Sequence, residues 1–391
     1  MSRAGLLLSL PLLAACGALP VTGDAGLPDG GGAFTDGGLD LNDVSWLLPL
    51  PPARSQLLGL AATGPKGELL PRALYDAMPS TVVGLEAATL FDEYRVLGVR
   101  VDPCFPRDAT GGCIPQLRLV AQPVIADGAT ATTTRDATLH LFYELTAAEL
   151  DDAHRTVWAL QALAAGRTAG RPLEVHPVLR AEGLAGPYGT MLHALVTRLC
   201  GAQNLTRVAF MRLVQEEVAW RFGAFEVEQA ALVADPIPRL GTLVEQGVQE
   251  FGNTAFRSGE LQPTIPGDDL DVLLSESAMR LTDARTLTRG LTSALRLEHP
   301  ARLSPKTADC GSCHVATRAR TNAERQRQVD TSGYPDSFTA NPRFDLSRTD
   351  AVGDDPRALR AFGYFGAMSA LSQRTINESA EVAEALSSHR P

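Results

Sequence analysis

The chain has 391 residues, 45% of them apolar, which is long enough for two folded domains with buried cores. Its 45 acidic and 35 basic side chains give a formal charge of -10 with no long basic run. That balance argues against nucleic acid as a partner and against an electrostatic grip on anionic lipid.

Residues 1–15 carry Arg3, an apolar run from Ala4 to Leu13, and small residues ahead of Cys16. The run is too short to cross a bilayer and stay there, and the pattern is that of a signal peptide. Leu13-Ala14-Ala15-Cys16 resembles the lipobox of bacterial lipoproteins. The resemblance implies that Cys16 is the lipid attachment site and the mature N-terminus, so that the protein meets the membrane through its lipid. Ordinary secretion with an Ala-x-Ala cut nearby is the alternative. Gly17 stands where an Asp would favour inner-membrane retention, so the outer membrane is the favoured destination, facing the periplasm. No later stretch approaches about eighteen uninterrupted apolar residues, so the body is predicted to be soluble.

Residues 16–40 are rich in Gly, Asp and Pro, as in Asp29-Gly30-Gly31-Gly32, and read as a flexible tether. Residues 41–299 are expected to form an α+β domain of unknown function. Leu97, Val99 and Val101 alternate, then Leu117 and Leu119, then Leu139, Leu141, Tyr143 and Leu145, which predicts antiparallel strands of a half-buried sheet. Thr146 and Glu149 form a capping box before a helix that Gly166 stops. A second helix is predicted from Pro187 to Cys200, and strands return over Leu205 to Val214 and Val218 to Val227. His140, His154, His176 and His193 are scattered without metal-ligand spacing and read as surface or core histidines. Trp220, Phe222 and Phe225 could line a pocket, although alternating strand aromatics are more commonly core. A helical stretch from Asp268 to about Leu297, broken near Asp283, precedes a domain boundary placed between Leu297 and Ser304.

Cys104 and Cys113 bracket a short loop containing Pro and Gly, and in an exported protein they can close a disulfide; two exposed thiols are the alternative. Cys200, at a predicted helix end, reads as a buried unreactive thiol.

Cys310-Gly311-Ser312-Cys313-His314 is C-x-x-C-H, the attachment sequence of a c-type haem. Its two thiols can form thioethers to the haem vinyl groups, and the histidine after the second can ligate iron. Ser304-Pro305 reads as the start of a helix carrying this motif on to Val329. Residues 330–355 are predicted to be mostly loop. Asp355-Pro356 then opens a short helix, Phe362-Gly363-Tyr364-Phe365 brings three aromatics together, and a capping box at Thr375 and Glu378 opens a terminal amphipathic helix.

An attachment helix, loops and a terminal helix is the order of class I cytochromes c, which residues 305–390 resemble. The resemblance implies a small, mainly α-helical cytochrome c-like domain over residues 300–391, one covalent haem c, and Met368 as the sixth iron ligand. His389, His299 and an open sixth position are the alternatives. The prolines at 300 and 305 and the absence of the usual leading-helix pattern depart from that family. Arg318, Arg320, Arg325 and Arg327 could pair with haem propionates, a solvated helix face being the alternative.

The reading is therefore a membrane-anchored monohaem lipoprotein that passes single electrons to a redox partner protein in the cell envelope, an electron carrier rather than a catalyst. The alternatives are a haem sensor or enzyme with an open iron position, and a haem-free lipoprotein with a dithiol or metal site at Cys310 and Cys313.

Overall fold

The computed structural model describes residues 38–82, 84–106, 112–214, 219–249 and 270–390. The signal segment, Cys16 and residues 17–37 of the tether lie outside the described residues. Residues 38–40, expected in the tether, already belong to the folded body: Leu39 is buried and its N–H donates to Ser387 Oγ at 2.8 Å.

The predicted strands join one antiparallel sheet, which together with the helices makes a mixed α+β fold. Its strands are β1 (Ser45–Leu47), β2 (Tyr94–Pro106), β3 (Cys113–Asp127), β4 (Ala131–Thr134), β5 (Ala137–Glu144), β6 (Leu205–Val214), β7 (Ala219–Glu228), β8 (Ala231–Asp235) and β9 (Glu245–Gln249). The order is β1-β2-β3-β5-β6-β7-β8, with β4 added to β3 and β9 to β7. The Cys104–Cys113 disulfide is formed and ties the end of β2 to the start of β3.

Alternation gives the sheet two unlike faces. Val99, Leu119 and Leu141 are cross-strand partners, as are Val101, Leu117 and Tyr143. These side chains are buried in one apolar cluster with Ala153, Val157 and Leu160 of helix α1 (Ala147–Ala164) and Leu192 and Leu195 of α2 (Pro187–Leu199). Helix α1 begins at the predicted capping box, where Thr146 Oγ1 accepts from Glu149 N and Glu149 accepts from Thr146 N at 2.9 Å. It ends with Ala165 and Gly166 in left-handed conformation, at φ 49° and 78°. Cys200 caps α2 and is fully buried, and burial raises its thiol well above the ordinary value.

The opposite face carries Arg100, Arg118, Phe142 and Arg207 in cross-strand register. A half-buried sheet would leave this face in water, yet the three arginines are 6%, 7% and 6% exposed. The last quarter of the chain covers them. Helix α3 (Ala284–Glu298), capped by Asp283 at the predicted break, packs on α4 (Cys310–Arg327). Strands β10 (Phe362–Phe365) and β11 (Met368–Leu371) form a hairpin, and α5 (Gln373–Ser387) closes the chain. Gly98 is required where the hairpin lands, because a Cβ there would meet the Phe362 ring at 2.8 Å.

Residues 300–391 and the sheet therefore share their cores, and residues 37–391 form one compact unit. Ile376, Ala380 and Ala383 of α5 join the large cluster, while Val315, Ala316 and Ala319 of α4 join Trp220, Phe222 and Leu291 in a second one. The expected boundary between Leu297 and Ser304 is a turn inside this unit.

Three local expectations fail for identifiable reasons. Ser304 closes a turn by accepting from Thr307 N and Ala308 N, and the cap of α4 is Asp309. Asp355 takes the Arg357 N–H at 3.0 Å in a two-residue turn, so no helix opens at Pro356. Ser372, which accepts from Thr375 N at 3.2 Å, caps the last helix, and Glu378 is released to pair with arginines.

Candidate functional site

The C-x-x-C-H residues occupy the first turn of α4, which is fixed by a buried pair of side chains. Asp309 accepts from Ser312 N at 2.9 Å and from Gln246 Nε2 at 2.8 Å, and Gln246 Oε1 accepts from Gly311 N at 2.6 Å. Two of the helix's otherwise orphaned N–H groups are satisfied in this way. Gln246 comes from β9, so the sheet sets the pitch of the motif directly. Cys310 and Cys313 are not bonded to each other. Burial pushes their thiols up to about 11 and about 12, the reverse of the low value that marks an activated thiol.

His314 Nδ1 lies 2.7 Å from the Leu359 carbonyl oxygen. A carbonyl only accepts, so the proton sits on Nδ1 and Nε2 keeps its lone pair, the arrangement that orients a metal-ligating histidine. Phe222 of β7 packs against this ring at 4.5 Å between centroids. Burial lowers the His314 pKa and the Leu359 bond opposes the shift.

Cys310, Cys313 and His314 line a cavity of about 140 Å³ between α4, α5 and the charged face of the sheet. It is partly open and largely apolar, and it is smaller than the roughly 300–1,000 Å³ of ordinary cofactor pockets. His140 of β5 faces His314 across it, with ring centroids 6.5 Å apart and planes at 87°. Burial lowers His140 to about 3, with His314, Arg118, Arg100 and Arg207 adding to the shift, so its imidazole is neutral at pH 7.

Four arginines, Arg100, Arg118, Arg207 and Arg374, ring the cavity. Glu378 of α5 takes Arg100 at 2.9 Å, Arg374 at 2.8 Å and Arg118 at 3.3 Å, and Arg118 also reaches Asp102 at 2.9 Å. Burial alone would raise the Glu378 carboxyl, but the guanidiniums of Arg374, Arg100 and Arg118 hold it far below the usual range. Arg118 Nε is buried without a hydrogen-bond partner among the described residues. Arg207 is paired with Asp235 at 2.7 Å.

The other residues singled out in the sequence lie elsewhere. Met368 is 41% exposed at the start of β11 and is not in the cavity lining. His299 packs edge-on against Phe338, and His389 is exposed beside Ser388. Arg318 is buried against Asp350 and the Ala358 carbonyl, Arg320 pairs with Glu298 and Glu324, Arg327 bonds the Met279 carbonyl, and Arg325 is exposed near Asn322. Trp220 is a core residue and Phe225 stacks on Phe210, so of these three aromatics Phe222 alone meets the His314 ring. His176 and His154 are bonded within the structure, to Tyr188 and to the Leu386 carbonyl. Among the described residues no cluster of three or more His, Cys, Asp or Glu has metal-holding geometry.

No protein-family model matches this chain, and no significant match to a curated protein or a solved structure was found.

Proposed function

We propose that the protein binds one haem c between the charged face of its sheet and its C-terminal helices, and works as a one-electron carrier of the cell envelope. The observation that carries this reading is the His314 Nδ1 to Leu359 bond, which presents Nε2 to the same cavity that the unpaired Cys310 and Cys313 line.

The donor set fits the group. Cys310 and Cys313 would hold the haem through thioether links, each S–H adding across one vinyl group with no oxidant consumed, and His314 would offer its imidazole to the iron. Bound haem supplies a reversible Fe(III)/Fe(II) couple. The chain's own residues do the rest. Gln246 and Asp309 hold the two cysteines in one helical turn, Phe222 and the Leu359 carbonyl fix the His314 ring, and the arginines of the charged face suit carboxylates such as haem propionates.

The N-terminal pattern adds the export that covalent haem attachment needs, with lipid on Cys16 holding the protein on a membrane, the outer membrane favoured. The zinc alternative gains no support, since no three His, Cys, Asp or Glu side chains come together in metal-holding geometry among the described residues.

The test is expression of the full chain with a haem-attachment machinery. The wild-type haem is expected to resist acid-acetone extraction, and the double variant Cys310→Ala/Cys313→Ala to lose all resistant haem. Haem that washes out of the wild type equally would contradict the reading.

A further inference from the structure

Because the sequence pattern alone would assign the sixth iron position to Met368, the opposite wall of the cavity matters. We propose that His140 supplies the second axial imidazole, so that an iron held by His314 is coordinated by two histidines, one from α4 and one from the sheet. This inference rests on the haem reading above.

Three observations carry it. The first is spacing. With metal–nitrogen bonds of about 2 Å, two imidazoles on opposite sides of one metal place their ring centroids on the order of 6 Å apart. The centroids of His140 and His314 are 6.5 Å apart, and both rings line the one cavity that Cys310 and Cys313 also line.

The second is the state of the ring. Neither nitrogen of His140 has a hydrogen-bond partner among the described residues, whereas His154 and His176 are both bonded within the structure. A half-buried imidazole with no protein partner keeps its lone pair available. Its cross-strand neighbour on β6 is Ala209, whose small side chain leaves the cavity floor open beside the ring.

The third is the placement of the rivals. Met368 stands on the hairpin, part-exposed and outside the lining, and neither His299 nor His389 lines the cavity.

Two imidazoles saturate the iron, which suits electron transfer and shuts out exogenous ligands. Without a methionine ligand, the reduction potential is lower than for His/Met coordination.

The experiment uses the full-length holoprotein. Covalent haem content is measured first by intact mass, which reports on the functional reading alone. Wild-type protein is then expected to be low-spin in both oxidation states, without the methionine charge-transfer band and without carbon monoxide binding. His140→Ala is expected to become high-spin, to bind carbon monoxide, and to regain the low-spin spectrum when free imidazole is added. Met368→Ala is expected to match the wild type. A second measurement needs no variant: the ferric wild type should give the strongly anisotropic low-spin paramagnetic resonance of near-perpendicular imidazole planes.

Covalent haem with a methionine band in the wild type, or with an unchanged low-spin spectrum in His140→Ala, would overturn the axial assignment while leaving the haem reading standing. Absence of covalent haem from the wild type would overturn both.

Discussion

The two faces of the sheet are built from the same strands and do opposite work. On one, Leu119 and Leu141 pack with α1 and α2 into an apolar cluster that needs no specific partner geometry. On the other, one residue along each strand, Arg118 and His140 meet Glu378, Arg374 and the C-x-x-C-H turn. Burying that face costs desolvation of several charges, which the interlocked ion pairs offset. The charged face differs from the apolar one in lining the cavity that Cys310, Cys313, His314 and His140 share.

Breaking the ion-pair cluster tests the comparison most severely. Glu378→Ala leaves the buried guanidiniums of Arg100 and Arg374 short of a counter-charge and should cost about 3–5 kcal/mol in denaturant unfolding. On the apolar face Leu141→Ala should cost about 2–5 kcal/mol, by lost burial plus the cavity left behind. The two variants should differ in haem content per folded chain, which falls for Glu378→Ala and holds for Leu141→Ala. Equal haem content in both would erase the distinction.

Acid and base should weaken the two sides in opposite senses. His176, packed with the apolar side, is lowered by burial from 6.5 to about 3. On acidification the unfolded chain takes the proton first, so this contribution is full above pH 6.5 and is lost as pH falls toward 3, by about 1.4 kcal/mol per pH unit. Urea midpoints in that range should fall less steeply in His176→Asn. On the charged side, burial, with the nearby Glu378 carboxylate, raises Glu381 from 4.5 to about 7. Here the folded chain holds its proton longer, so this group's contribution is full below pH 4.5 and is lost as pH rises through 7. This is the smallest effect, read as a flatter stability profile between pH 5 and pH 8 in Glu381→Gln.

Much of the scaffold was legible because its signals are local. The alternation of Leu97 to Val101 and Leu139 to Leu145, the Thr146 capping box, the stop at Gly166 and the Cys104–Cys113 pairing all follow from residues a few positions apart. So did the helix that bears Cys310 to His314. The cavity around it was not. Arg100, Arg118 and His140 occupy the polar positions of alternating strands, which read as a solvent face until a distant segment covers them. Gln246, Asp309 and Glu378 gain their roles only by meeting across the fold. Thr375-x-x-Glu378 satisfies the capping-box pattern, but Ser372 one turn earlier makes the cap, leaving Glu378 to the arginines. Met368 is suggested only by its place downstream of His314, and spacing along the chain carries no information about which wall of a cavity a side chain joins.

The most direct measurement is the intact mass of the mature protein, made with lipoprotein processing and haem attachment both available. The expected result is a chain beginning at Cys16, carrying lipid there and one haem that stays bound through denaturation, with the haem mass recovered on the peptide spanning 310–314. A mature mass without that haem, from protein that folds normally, would contradict it.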